Sequence, residues 1–304
     1  MDEEVLRKYL EAGRIAAEAR DRAVRLIEAG RSLKDICEYA EETIVSLGAK
    51  PAFPCNISVN EIAAHYSPLI DDKQLVPEGA VVKLDIGAHV DGYIADTAVT
   101  VALDDKYEKL LVAVKEALEK ALEAVAPGVK FSTIGRIIEE TIKSYGFKPI
   151  SNLSGHSLGR YTIHAGESIP NVYDPFYSGK FQPGKAYAIE PFGTMGAGKV
   201  VEADLVTIYA LHRMGSAKRL SKTQRNLLRI IYERFRTLPF NERWLKDLAD
   251  PVELRQALKR LSRQGYLISY PVLVESRRGI VAQFEHTIIV LEDQVLITTR
   301  KEEG

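Results

Sequence analysis

Val81-Val82-Lys83-Leu84-Asp85-Ile86-Gly87-Ala88-His89-Val90-Asp91-Gly92-Tyr93-Ile94-Ala95-Asp96-Thr97-Ala98-Val99-Thr100-Val101-Ala102 is the stretch that decides how this chain folds. Its centre, Asp91-Gly92, is a two-residue turn signal between two apolar-rich runs, which predicts a tight β-hairpin. Closing the hairpin there sets Val90 opposite Tyr93, Gly87 opposite Asp96 and Asp85 opposite Ala98. Facing residues share one side of a sheet, and side chains alternate along each strand. Asp85, Gly87, His89, Ile94, Asp96 and Ala98 then occupy one face. Leu84, Ile86, Ala88, Val90, Tyr93, Ala95 and Val99 occupy the other, which is almost wholly apolar and should pack on helices. The first face carries two acids.

Two carboxylates on a hairpin diagonal lie roughly 7–8 Å apart at the backbone. Their oxygens can converge on a pair of metal ions about 3.5–4 Å apart. Without cations the two anions repel, and one must take up a proton. The bland alternative is that they face water, as most aspartates do. Three further segments weigh against it. Ser154-Gly155-His156-Ser157-Leu158-Gly159, with His164 in Ile163-His164-Ala165-Gly166, puts two histidines in a Gly-rich loop. Ala188-Ile189-Glu190-Pro191 ends an apolar strand on an acid, and Gln283-Phe284-Glu285-His286-Thr287 places another inside a strand that should be buried. A buried unpaired carboxylate is costly, so Glu190 and Glu285 need cations or hydrogen-bond donors. Ion pairs with arginine would also serve. Four carboxylates against two divalent ions give a balanced charge.

Working outward, residues 3–29, 32–47, 104–126 and 132–145 show 3.6-residue apolar periodicity and predict helices. Each helix pair leads into a strand-rich section, so the chain reads as two similar halves. Further strands are predicted at 185–191, 201–210 and 280–291. Between the last two, residues 222–236, 242–248 and 252–264 read as helices, broken at Pro239 and at Ala249-Asp250-Pro251. With Gly265-Tyr266-Leu267-Ile268 behind them, they resemble a winged-helix-like insert.

Of 304 residues 46% are hydrophobic, enough for a sizeable core, and no run approaches the ~18 apolar residues of a membrane span. Cys37 and Cys55 match no zinc or redox spacing, and the acidic start is unlike a secretory leader, so a cytoplasmic location is expected. The net charge of −1 hides an asymmetry: residues 213–263 hold 14 Lys/Arg against 5 Asp/Glu, a net of +9, on a body of −10.

The segments Lys83-Leu84-Asp85-Ile86-Gly87, Ile94-Ala95-Asp96-Thr97-Ala98, Ser154-Gly155-His156, Ile189-Glu190-Pro191 and Gln283-Phe284-Glu285-His286-Thr287, with Asn60-Glu61-Ile62-Ala63-Ala64-His65-Tyr66, closely resemble the type 2 methionine aminopeptidases of peptidase family M24, the archaeal and eukaryotic class. The resemblance covers essentially the whole chain, insert included. It implies an α+β pita-bread (creatinase/aminopeptidase) fold, with residues 1–208 and 270–304 as the catalytic body and 209–269 as the helical insert. It implies two divalent ions (Co, Mn, Fe or Zn). Asp85 would hold one, Asp96 and Glu285 would bridge both, and His156 and Glu190 would complete the other.

By the same resemblance Glu190 is the proton carrier. His65 and His164 donate hydrogen bonds to the substrate carbonyl and developing oxyanion, and Phe53, Ile163 and Tyr270 line the methionine pocket. His89 has no such role, and nothing about His212 suggests catalysis. The implied substrate is the N-terminal peptide of a nascent protein with a small second residue, met by a monomeric enzyme with no membrane partner. An X-Pro dipeptidase or aminopeptidase P on the same fold is the nearest rival, though those usually carry an extra N-terminal domain for which Asp85 arrives too early. A ribosome-associated binding protein is the rival of another class, and it would be expected to lack ligands. The basic insert suggests docking on ribosomal RNA, set against the blander reading of salt bridges to the acidic body.

Overall fold

The computed structural model describes residues 1–214 and 220–300. Lys218 and Arg219 of the basic run, and residues 301–304 of the expected catalytic body, lie outside the described residues. Six helices are present among those described: α1 (Glu3–Val24), α2 (Leu33–Ser46), α3 (Glu108–Ala124), α4 (Phe131–Ser144), α5 (Lys222–Phe235) and α6 (Pro251–Arg263). Their starts follow local chemistry. Asp2 and Ser32 cap α1 and α2 by accepting the Val5 and Asp35 N–H groups, and Ser221 with Gln224 forms a capping box on α5.

The hairpin forms as its sequence dictates. Val81–Val90 and Tyr93–Ala102 pair without a slip from Val81 opposite Ala102 to Val90 opposite Tyr93. Asp91 (φ 52°) and Gly92 (φ 88°) both take the positive φ that a type I′ turn demands. A third strand, Lys50–Val59, adds antiparallel to Val81–Val90. Helices α1 and α2 cover the apolar face, where Leu84, Ile86, Ala88 and Ala95 pack with Ile15, Ala19, Ile36 and Ala40. The second half repeats the plan: α3 and α4 pack through Leu110, Val114, Ile134 and Ile138 onto Tyr187, Ile189 and Ile288 of a five-stranded sheet. That sheet runs Val295–Ile297, His286–Val290, Lys185–Ile189, Ser154–Leu158, Ser168–Pro170. Two cores, each a helix pair on a sheet, make the α+β architecture.

Threonines stitch the halves together. Ala98 and Glu285 exchange backbone hydrogen bonds (3.0 and 3.4 Å), and Thr97 Oγ1 donates to the Glu285 carbonyl (2.9 Å). Thr287 Oγ1 accepts the Asp96 N–H (2.7 Å) and donates to the Asp96 carbonyl (2.8 Å). Thr100 Oγ1 does the same for Gln283, at 2.8 and 2.6 Å. All three threonines are buried, so each bond is shielded from competing water.

A third core belongs to the region between strands Val200–Leu211 and Leu267–Glu275, where Leu228, Ile231, Phe240, Leu245, Leu258 and Leu261 pack together. Part of its positive charge is neutralised against the body: Arg243 pairs with Glu41 and Arg255 with Asp71.

Three expectations need correction. Helix α1 stops at Val24 rather than 29, because Leu26 and Ile27 bond back three residues and turn Ile27 into the core without a further helical turn. Residues 242–248 form a short 3₁₀ turn, Glu242–Leu245, since Arg243 must point inward to reach Glu41. The strand predicted over 280–291 is broken in two, Val281–Gln283 and His286–Val290. Pro191 on the neighbouring segment has no N–H to give, and Glu285 turns its own backbone to Ala98 instead.

Candidate metal centre

Between the halves lies a cavity of about 330 Å³. Phe53, His65, Asp85, Asp96, His156, Ile163, His164, Glu190, Tyr270 and Glu285 all line it, so the structure brings the ten predicted site residues together. Each arrives from a different device. The hairpin presents Asp85 and Asp96 on the face opposite its apolar side. His156 stands in the middle of Ser154–Leu158, Glu190 follows the end of Lys185–Ile189, and Glu285 sits at the break between strands. Gly87 makes room for the pocket: a Cβ there would fall 2.4 Å from the Phe53 ring, so only glycine lets Phe53 lie across the hairpin.

Asp96, His156 and Glu285 offer ligand atoms all within 4.8 Å of one another. His156 Nε2 stands 3.6 Å from Asp96 Oδ2 and 3.5 Å from Glu190 Oε1. Asp85 Oδ1, Asp96 Oδ1 and Glu285 Oε1 are buried and accept no hydrogen bond. Burial pushes the Asp85 carboxyl up to about 7. Asp96, Glu190 and Glu285 are raised well above the carboxylate range by burial first and by mutual repulsion second. Burial lowers His156 to about 3, so its ring is neutral and can offer a lone pair. Bare carboxylate oxygens beside a neutral imidazole are what a divalent cation requires, and no arginine or lysine pairs with these acids among the described residues. The residues fit a metal.

Saturation with a divalent ion should therefore stabilise the fold by about 2.7 kcal/mol at a hundredfold excess over Kd. Thermal unfolding in Mn²⁺ and in chelator measures this. Equal midpoints would contradict a metal site.

The histidines differ in what they offer. His65, held at φ 64°, sets Nδ1 3.2 Å from the Pro271 carbonyl, which can only accept. Nδ1 therefore carries the proton. Burial lowers its pKa to about 4, so the ring is neutral and Nε2 is left as an acceptor. This departs from the donor role expected for His65. His164 stacks edge-on against His156, ring centroids 4.5 Å apart. His89 accepts the Gly92 N–H (3.0 Å), which closes the hairpin turn, and does not line the cavity.

Sequence reasoning missed Asn56, Gln283 and Pro239. Asn56 lines the cavity and faces Asp85 across the strands. Gln283 donates from Nε2 to Glu190 Oε2 (3.4 Å), and its place two residues before Glu285 was the available signal. Pro239 lines the cavity, and beside it Leu238 packs with Phe53 and Ile163, from a region that sequence alone gave no reason to bring here.

Comparison with known proteins extends this geometry. The chain is 50% identical over 301 residues to a methionine aminopeptidase of Saccharolobus solfataricus, covering 99% of both proteins. Among solved structures it superposes on a thermophilic Arx1 with a TM-score of 0.86 at 18% identity, over 98% of this chain and 91% of that one. A prolidase from Pyrococcus horikoshii gives 0.63 at 18% identity, covering 99% of this chain and 63% of that one. The two structural likenesses speak for the shared pita-bread fold alone. A match to the model of metallopeptidase family M24 runs from residue 7 to residue 292, and with it the chain belongs to that family.

Proposed function

We propose that this chain is a type 2 methionine aminopeptidase, removing the first methionine of nascent proteins whose second residue is small. The observation that carries it is the convergence of Asp85, Asp96, His156, Glu190 and Glu285, from five separate segments, on one cavity with unpartnered oxygens. The near half-identity to a methionine aminopeptidase supports the substrate, and the helical region over 209–269, inserted in a body of 1–208 and 270–304, supports the type 2 assignment. All five ligands are present, which disfavours the binding-protein reading.

Asp85, Asp96, His156, Glu190 and Glu285 would hold two ions drawn from Co, Mn, Fe or Zn. When bound, these polarise the scissile carbonyl and ease deprotonation of a water. Glu190 takes a proton from the attacking water and passes it to the leaving nitrogen. His65 Nε2 accepts a hydrogen bond from a substrate N–H, and His164 donates towards the carbonyl oxygen as charge develops there. Phe53, Ile163 and Tyr270, closed by Leu238 and Pro239, hold the unbranched thioether side chain.

Hydrolysis of Met-Ala-Ser against X-Pro peptides tests the assignment. Release of free methionine from the first, with X-Pro peptides left intact, is expected. Preferential cleavage of X-Pro would overturn it in favour of a prolidase-like enzyme.

The enzyme would act in the cytoplasm as a monomer. No helix among the described residues is long and apolar enough to cross a membrane. Lys222, Lys259, Arg260 and Arg263 are exposed on α5 and α6, near the point where Gln224 bonds Gln264 (3.2 Å), a basic end suited to ribosomal RNA phosphates. Ribosome co-sedimentation unchanged by reversing those four charges would end the docking idea.

A further inference from the structure

Gln283 is almost wholly buried (1% exposed) and carries no charge, yet it sits among the acids of the cavity. Its backbone is locked on both sides by Thr100 Oγ1, which donates to its carbonyl (2.6 Å) and accepts its N–H (2.8 Å). Its side-chain amide donates to Glu190 Oε2 at 3.4 Å. Glu190 is the acid that would both hold an ion and carry the proton. An amide N–H donates without carrying charge, so Gln283 can brace the Glu190 carboxylate without competing for the cation it binds. A lysine in this place would neutralise it, and a glutamate would add a fifth repelling anion.

From this geometry we infer that Gln283 is a positioning residue, a neutral brace that holds the Glu190 carboxylate in place for the ion it would serve. It rests on the ligand assignment made above. The brace acts through the ligand and touches neither substrate nor the reacting atoms. Its reach matters as much as its polarity, because Thr100 fixes where the side chain begins.

Calorimetric titration of the metal-free protein with Mn²⁺, beside turnover of Met-Ala-Ser, tests it in Gln283→Met, which keeps length and loses the donors, and Gln283→Asn, which keeps the donors one methylene short. Partners that orient metal ligands are typically worth 10–100-fold in metal affinity. Both variants should show such a loss for at least one of two ions, with kcat reduced and KM for the peptide nearly unchanged. Wild-type affinity for both ions in either folded variant overturns the inference, whatever happens to turnover. Far-ultraviolet circular dichroism identifies the folded variants, and the two substitutions perturb the core differently, so one suffices. Failure of the wild-type protein to bind two ions would instead sink the ligand assignment.

Discussion

Glu190→Gln is expected to lower kcat by about 10²–10⁴-fold, the usual worth of a positioned proton carrier. At 1.36 kcal/mol per tenfold, that is roughly 3–5 kcal/mol of barrier. The substitution is nearly isosteric, and Glu190 leaves the core at the end of Lys185–Ile189, so the strand has no reason to move. The amide cannot take a proton from water at neutral pH. It still offers one oxygen to a cation, so metal binding should weaken without vanishing, and KM should change little. Stopped assays at saturating Mn²⁺ with parallel metal analysis measure both. Turnover within tenfold of the parent, with metal bound, would remove Glu190 from the chemistry.

The second large effect concerns stability. Arg243, 4% exposed, forms a two-pronged pair with Glu41 of α2, Nη1 to Oε2 at 2.9 Å and Nη2 to Oε1 at 2.7 Å. Its Nε donates to the Pro68 carbonyl (2.8 Å). Glu41 also accepts the Trp244 indole N–H (2.9 Å) and the Cys55 backbone N–H (3.0 Å). Each Glu41 oxygen therefore accepts two hydrogen bonds inside the protein, and the guanidinium is held from three sides. Removing one member leaves the other charge buried and alone, which costs about 3–5 kcal/mol. Arg243→Met and Glu41→Met should each lose that much in urea denaturation. The double variant should recover a good part of it, because no orphan charge remains. Losses below about 1 kcal/mol in both single variants would show that water relieves the site. The pair anchors the region around Trp244, which follows shortly after Pro239 at the cavity wall. Arg243, one of the cations of the basic region, thus pairs with the acidic body and helps hold that wall in place.

The hairpin was legible because everything that sets it is local. Asp91-Gly92 can take two positive φ angles in succession, and strict alternation puts Asp85 and Asp96 on the side away from Leu84, Ile86 and Ala88. The helices were legible from periodicity, with α1 read too long because Leu26 and Ile27 continue the apolar pattern past the point where the chain tightens. The four acids and His156 were completed as a set by resemblance, since beyond the hairpin their spacing along the chain carries no geometry. Strand Lys50–Val59, the break at Glu285 and the threonine stitches were not read. Each depends on a partner far along the chain, such as Thr100 on Gln283, and an isolated Thr looks the same whether it faces water or another sheet.

By itself the sequence determined a hairpin with two acids on one face and an apolar back, and a chain of two helix-on-sheet halves with a basic region between strands. Turn geometry, alternation and helical period are properties of neighbouring residues, so they can be read without knowing what lies far along the chain. Only the tertiary structure decided which carboxylate oxygens stay without a partner, which nitrogen of His65 is left as an acceptor, and that Gln283 and Pro239 belong to the site. Those matters turn on which donors and acceptors come within about 3 Å of each other, and folding alone brings such groups together.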